Sequence, residues 1–223
     1  MAKFKLLLKQ FLIIVLYFII VIAIQLIFIS DLDSTNLVLL NSCYIAIDLI
    51  TLIIFIFLFR KTLIPDYYDF IKDYKKYIKN NYKYWLIGLV IMVISNLIIG
   101  SFIGLPDNEE ANRSILLELP VYSVISMVII APIIEELLTR LVLKDAFKHS
   151  IFYMLITGLI FGSLHITSVL INNNLLELLY IIPYGALGCA LSKIYHNSNN
   201  IWTNIFFHAL HNFIAILLIF TGV

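Results

Sequence analysis

The strongest constraint on this chain is a succession of apolar runs, each close to the roughly 20 residues a helix needs to cross a bilayer. In hydrocarbon a backbone must satisfy its own polar groups, so runs of this kind specify helices packed as a bundle. Candidate spans fall at 11–30, 37–59, 85–104, 118–143, 151–171, 175–195 and 201–220. The expected fold is all-α: a polytopic transmembrane helical bundle of about seven or eight helices. Composition agrees: 13% of residues are charged, against about a quarter in a soluble domain, and mean hydropathy is +1.01. Nothing in that balance suggests a nucleic-acid partner; membrane lipid is the expected surrounding. Cys43 and Cys189 both lie in apolar runs and read as buried thiols.

The run from Phe11 to Ile29 follows Lys3, Lys5 and Lys9, as in a signal peptide, but it is too long and no small-residue cleavage site follows. It is read as a retained first helix. The segment near 60–84 is basic and tyrosine-rich, with Tyr68, Ile71, Tyr74 and Ile78 near helical spacing. It reads either as a helix on the membrane surface, with lysines toward anionic headgroups, or as a solvated loop. Alternating seven spans puts every one of the 15 basic residues except Arg113 on one side. The excess of positive charge on the cytoplasmic face then predicts a multi-pass cell-membrane protein with a cytoplasmic N-terminus and an extracytoplasmic C-terminus.

Ionisable groups inside spans cost about 2.5–3.5 kcal/mol each on insertion scales, so each asks for a reason. Glu135 and Glu136 are adjacent and therefore diverge by about 100° on a helix. Glu136 can pair with Arg140, four residues on and in the favourable order. Glu135 is left facing another helix or a polar cavity, a setting suited to acid–base work. Pro132 removes a backbone donor just before the pair and is expected to bend the helix. His165 lies near Gly158 and Gly162, a small-residue step that admits a neighbouring backbone; alone, it could equally brace packing by bonding a carbonyl. Asn204, His208 and Asn212 form a polar stripe at four-residue spacing, with His211 off to one side. By span position His165 falls deeper than Glu135 and His208. Asp48 and Glu177 have no companions at motif spacing and are left out of the site.

Glu135-Glu136 with Arg140, then Phe161 with His165, then His208-Ala209 with Asn212, resembles the motif set of the CPBP family. These are the CAAX-protease and bacteriocin-processing intramembrane proteases, also called the Abi family. The resemblance covers about 118–220, read as a catalytic core; residues 1–117 are read as membrane-embedding helices. It implies an intramembrane endopeptidase acting on membrane-associated peptides or proteins, with a site opening toward the cytoplasmic leaflet. Glu135 with His165 would activate water, and His208 with Asn212 would steady the oxyanion. Glu136, Arg140 and Phe161 would support them. No metal is favoured; were zinc bound, Glu135, His165 and His208 would be its ligands. The alternative is a non-catalytic bacteriocin-immunity or partner-binding membrane protein of the same fold. A small transporter is disfavoured because the halves show no repeated span pattern.

Overall fold

The computed structural model describes residues 12, 13, 15, 19, 37–144, 147, 150–166, 169 and 174–221. Most of the expected first span, together with Lys3, Lys5, Lys9, Lys148 and His149, lies outside the described residues. Among the described residues there are six helices and no strand. They are α1 (Leu37–Ile103), α2 (Asp107–Glu118), α3 (Pro120–Leu141), α4 (Ser150–Leu164), α5 (Leu175–Ser198) and α6 (Ile201–Phe220). Helices α1, α3, α5 and α6 are long and apolar enough to cross a membrane, and α4 is a shorter apolar helix. Large apolar side chains such as Ile53, Phe57, Leu97 and Phe102 point outward, as expected where the solvent is lipid.

The expected count of seven or eight is thus not reproduced among these residues, and two differences have physical causes. First, the spans expected at 37–59 and 85–104 join through the basic segment as one helical run, so that segment is not a loop. Asp73 breaks the helical geometry with φ −126° and ψ 27°. The run folds back there: Asn200 Nδ2 donates to the Asp66 carbonyl at 2.7 Å, and Asn197 Nδ2 donates to Asn81 Oδ1 at 2.8 Å. Asp66 and Asn81 would stand about 22 Å apart along a straight helix, too far for neighbours in one tight turn to reach both. Arg60, Lys61, Lys72, Lys75, Lys76, Lys79 and Lys83 are all exposed. Second, α2 was not anticipated, because its charged sequence carries no apolar run. Asp107, Glu109 and Glu110 in its first turn complement the helix dipole, and Glu109 pairs with Arg113 at 2.8 Å.

Helix α3 departs from regular α geometry on both sides of the glutamates. Residues Ser126–Ile130 and Leu137–Leu141 are π-helical, around an α-helical stretch Ala131–Glu136. Pro132 explains an orphan in the first π segment. The Ala131 N–H reaches back to the Ser126 carbonyl, so the Met127 carbonyl would need the N–H of residue 132, which proline lacks. Asn212 Nδ2 supplies it instead, at 2.7 Å from Met127 O. Asp48, without a companion in sequence, accepts a hydrogen bond from Ser126 Oγ of the same segment at 2.5 Å.

Helices α4 and α5 meet backbone to backbone. A Cβ added at Gly162 would lie 3.0 Å from Gly185 N and from Ile181 O, and one at Gly158 would lie 2.4 Å from Cys189 Sγ. Only glycine permits this approach, and it brings α5 beside His165. Between α5 and α6 the chain turns in two residues. Asn199 takes the left-handed conformation at φ 51°, and Asn200 caps α6 by accepting the Thr203 N–H at 3.1 Å. One core joins Phe55 and Leu63 of α1 to Ile134, Leu137 and Leu138 of α3 and Ile201 and Ile205 of α6. Another joins Trp85 of α1 to Phe161, Leu187, Leu191 and Phe207.

Candidate active site

Glu136 is fully buried and holds the site together from beneath. Its Oε2 lies 3.3 Å from Arg140 Nε and accepts from Asn204 Nδ2 at 2.9 Å. Its Oε1 lies 2.9 Å from His208 Nδ1. Arg140, also fully buried, donates through Nη2 to the Gly188 carbonyl at 3.0 Å and through Nη1 to Thr139 Oγ1. Its guanidinium sits 4.6 Å from the centre of the Phe161 ring. Tyr153 Oη donates to the Arg140 carbonyl at 3.1 Å. These bonds to Arg140 Nη1, Arg140 Nη2 and both Glu136 oxygens offset part of the cost of burying the ion pair.

The hydrogen bonds at the far side of each imidazole set its tautomer. A carboxylate paired with arginine can only accept, so the bond to Glu136 is donated by His208 Nδ1–H. A carbonyl can only accept, so His165 Nδ1–H is the donor to Phe161 O, at 2.8 Å. In their neutral forms both histidines then turn an Nε2 lone pair inward, and both face Glu135. Glu135 Oε2 lies 3.8 Å from His208 Nε2 and 3.9 Å from His165 Nε2. That oxygen is buried and has no hydrogen-bond partner among the described residues. Three basic atoms from three helices therefore converge at separations too long for direct bonds and suited to a shared small donor.

Glu135, His165 and His208 are thus brought together, and His165 is level with Glu135 despite its later position in its span. It achieves this at the C-terminal end of α4, where its N–H bonds to the Gly162 carbonyl at 3.1 Å. Asn212 lies one turn beyond His208, with its amide directed to Met127. Phe161 packs edge-on to His208, ring centres 5.4 Å apart. Sequence reasoning gave Glu136 to Arg140 alone and left Asn204 outside the site. Asn204 Nδ2 bridges Glu136 and the Leu191 carbonyl, the latter at 2.7 Å. The four-residue spacing of Asn204 and His208 was the available signal. Tyr184, stacked on His165, had none. Glu177 is likewise partnered: it accepts the Asp107 N–H at 3.3 Å.

Carboxylate and imidazole donors are those zinc takes, but a tetrahedral ion would draw its ligand atoms to about 3.4 Å from one another. The 3.8 and 3.9 Å separations exceed this, and the described residues contain no cluster of three or more His, Cys, Asp or Glu with metal-holding geometry. No step below is routed through a metal.

Residues 117–214 match the family model described as type II CAAX prenyl endopeptidase, Rce1-like. Over 115 residues the chain is 26% identical to "Putative membrane peptidase YdiL" of Bacillus subtilis (strain 168). That alignment takes in 50% of this chain and 43% of the relative, so less than half of the relative's length is represented. No solved structure matches the chain. The residues matched by the family model contain Glu135, Glu136, Arg140, Phe161, His165, His208 and Asn212, so the similarity covers less than half of the chain but takes in every residue of the three motifs.

Proposed function

We propose that this chain is an intramembrane endopeptidase that hydrolyses peptide bonds of membrane-embedded or membrane-adjacent substrates. The observation that carries the proposal is the convergence of Glu135 Oε2 with the Nε2 atoms of His165 and His208 at 3.9 and 3.8 Å. A water molecule that donates its two hydrogens to Glu135 Oε2 and His165 Nε2 gives up the first to Glu135, and its oxygen attacks the scissile carbonyl. The carbonyl carbon becomes tetrahedral and its oxygen takes the negative charge. His208, when it carries protons on both nitrogens, is balanced by Glu136 and offers Nε2–H to that oxyanion. The second N–H of Asn212, the one not given to Met127, is the other donor. The proton held on Glu135 then passes to the leaving amine as the C–N bond breaks. No metal is required by this scheme.

The chain is oriented with its N-terminus in the cytoplasm, so the exposed lysines of residues 60–84 meet anionic headgroups of the inner leaflet. Purified protein in detergent, given a peptide library, should cleave a subset of it, and Glu135→Gln should not. Equal cleavage by the two proteins would remove Glu135 from the mechanism. Cleavage by neither, with a Glu135→Gln protein that still performs its cellular role, would favour a non-catalytic protein.

A further inference from the structure

The proton that His165 can exchange depends on where its ring points, and its own helix does not settle that direction. His165 follows the last residue of α4, and its hydrogen bond to Phe161 O holds only one edge of the ring. Two aromatic rings pack on it instead. Phe161 lies tilted against it with ring centres 4.4 Å apart at 36°. Tyr184 of α5 stacks with centres 4.7 Å apart at 25°. Such offset stacking favours one ring plane over the others that rotation about the side-chain bonds would allow.

Tyr184 is itself held from outside the site. Glu177, Tyr180 and Tyr184 lie at i, i+3 and i+7, so they form one stripe along the start of α5. All three reach the turn after α1 or the first residues of α2. Glu177 accepts the Asp107 N–H, Tyr180 Oη donates to the Gly104 carbonyl, and Tyr184 Oη lies 3.5 Å from Asn108 Nδ2. Gly104 makes this turn with φ +87°, a conformation that suits glycine. The stripe thus fastens residues 104–108 over the same end of α5 that supports His165.

We propose that Tyr184 is a positioning residue of this site: its ring, stacked on the His165 imidazole, fixes the direction in which His165 Nε2 faces Glu135. The proposal rests on the peptidase reading for its kinetic consequence but not for its structural one, so the test uses both. Full-length protein labelled with ¹⁵N-histidine is compared in micelles as wild type, Y184F, Y184L and Y184M, with His165 assigned by its loss in H165Q. Wild type and Y184F keep the ring, and both should show one His165 tautomer protonated at Nδ1, with most of the turnover retained in Y184F. Y184L and Y184M lose the shielding ring, so the His165 ring protons should move downfield and the two tautomers should average. In the same two variants kcat should fall by roughly ten- to hundredfold with KM little changed, the scale expected when a reacting group is misdirected by about 1 Å. Y184M, with an unbranched apolar chain, decides the matter if Y184L does not fold. Unmoved His165 signals in the ringless variants would overturn the proposal. So would a Y184F protein as impaired as Y184L. A wild type without peptidase activity overturns the peptidase reading, and the His165 signals then decide the role of Tyr184 alone.

Discussion

Glu136→Gln and Glu135→Gln change adjacent residues by the same few atoms, and the structure assigns them opposite consequences. Glu136 has no exposed surface, pairs with the Arg140 guanidinium at 3.3 Å and accepts from His208 and Asn204. Neutralising it strands the Arg140 guanidinium, which is itself fully buried. Breaking a buried pair by removing one partner costs about 3–5 kcal/mol, because the remaining charge stays desolvated. The Gly188 carbonyl and the Phe161 ring still engage Arg140, which places the expectation toward the lower end of that range. Glu135 is 27% exposed and its inward oxygen has no hydrogen-bond partner among the described residues. Its neutral amide should therefore change stability by less than about 1 kcal/mol, in line with substitutions away from buried networks, while abolishing turnover. Reversible unfolding in mixed micelles, followed by tryptophan fluorescence, measures the first quantity, and peptide cleavage measures the second. The double variant E136M/R140M supplies a check. Removing both charges together should restore part of the stability lost in Glu136→Gln, since no unpaired guanidinium remains. The reasoning fails if Glu136→Gln unfolds like wild type, or if Glu135→Gln is the less stable of the two.

Other perturbations test separate links. Asn212→Leu leaves the Met127 carbonyl unpartnered and should cost about 1–3 kcal/mol; in a Pro132→Ala background, where residue 132 regains its N–H, the same change should cost less, as a four-protein unfolding cycle would show. Gly162→Ala forces a Cβ to within 3.0 Å of two backbone atoms of α5, whereas Gly185→Ala meets nothing nearer than 3.6 Å. Gly162→Ala should therefore destabilise by about 1–3 kcal/mol and Gly185→Ala by much less, read from melting in detergent. Protein purified without chelator should carry substoichiometric zinc and keep its activity in chelator. Stoichiometric zinc that is lost in His165→Ala would transfer Glu135, His165 and His208 to a metal site.

The long apolar helices were legible because a membrane span announces itself by length and apolarity, and α3, α5 and α6 fall close to where hydropathy put them. The Glu136–Arg140 pair was legible from four-residue spacing on one helix. What sequence did not give were contacts that depend on how helices cross. Asn200 and Asn197 reach Asp66 and Asn81 only because α1 folds back at Asp73, a residue with no mark of a break in its neighbourhood. The His208–Glu136 bond spans 72 positions and required α6 to lie on the Glu136 face of α3. Charged α2 was passed over because hydropathy is silent on a short helix that stays out of the apolar layer. Asn212 was read by its distance from His208 along one helix, and its bond to Met127 depends on a π turn that no spacing rule detects.

The geometry of α3 also explains why two adjacent acids are used at all. Successive residues on a helix diverge by about 100°, so a Glu-Glu pair cannot place both carboxylates in one environment. One can be driven fully into a charged, hydrogen-bonded core while its neighbour remains at the edge of a cavity. Here Glu136 takes the first position and Glu135 the second, and His208 touches both: Nδ1 binds the buried acid and Nε2 faces the open one. The imidazole is thereby oriented by one carboxylate toward the other. A single glutamate could not do this, since a carboxylate bound to Arg140, Asn204 and His208 has little capacity left to accept from a substrate or from water. The π segments flanking Ala131–Glu136 widen the helix on either side of this stretch, and wide turns of this kind are rare and concentrate at functional sites. A π turn is an α turn with one residue added, so shortening either π segment would change the direction of Glu135 little, whereas removing Ile133 from the α-helical stretch Ala131–Glu136 would rotate it by about 100° away from both imidazoles. Deletion of Ile133 should therefore abolish turnover even in protein that still folds, and retained cleavage would show that the angular placement of Glu135 is not what the site depends on.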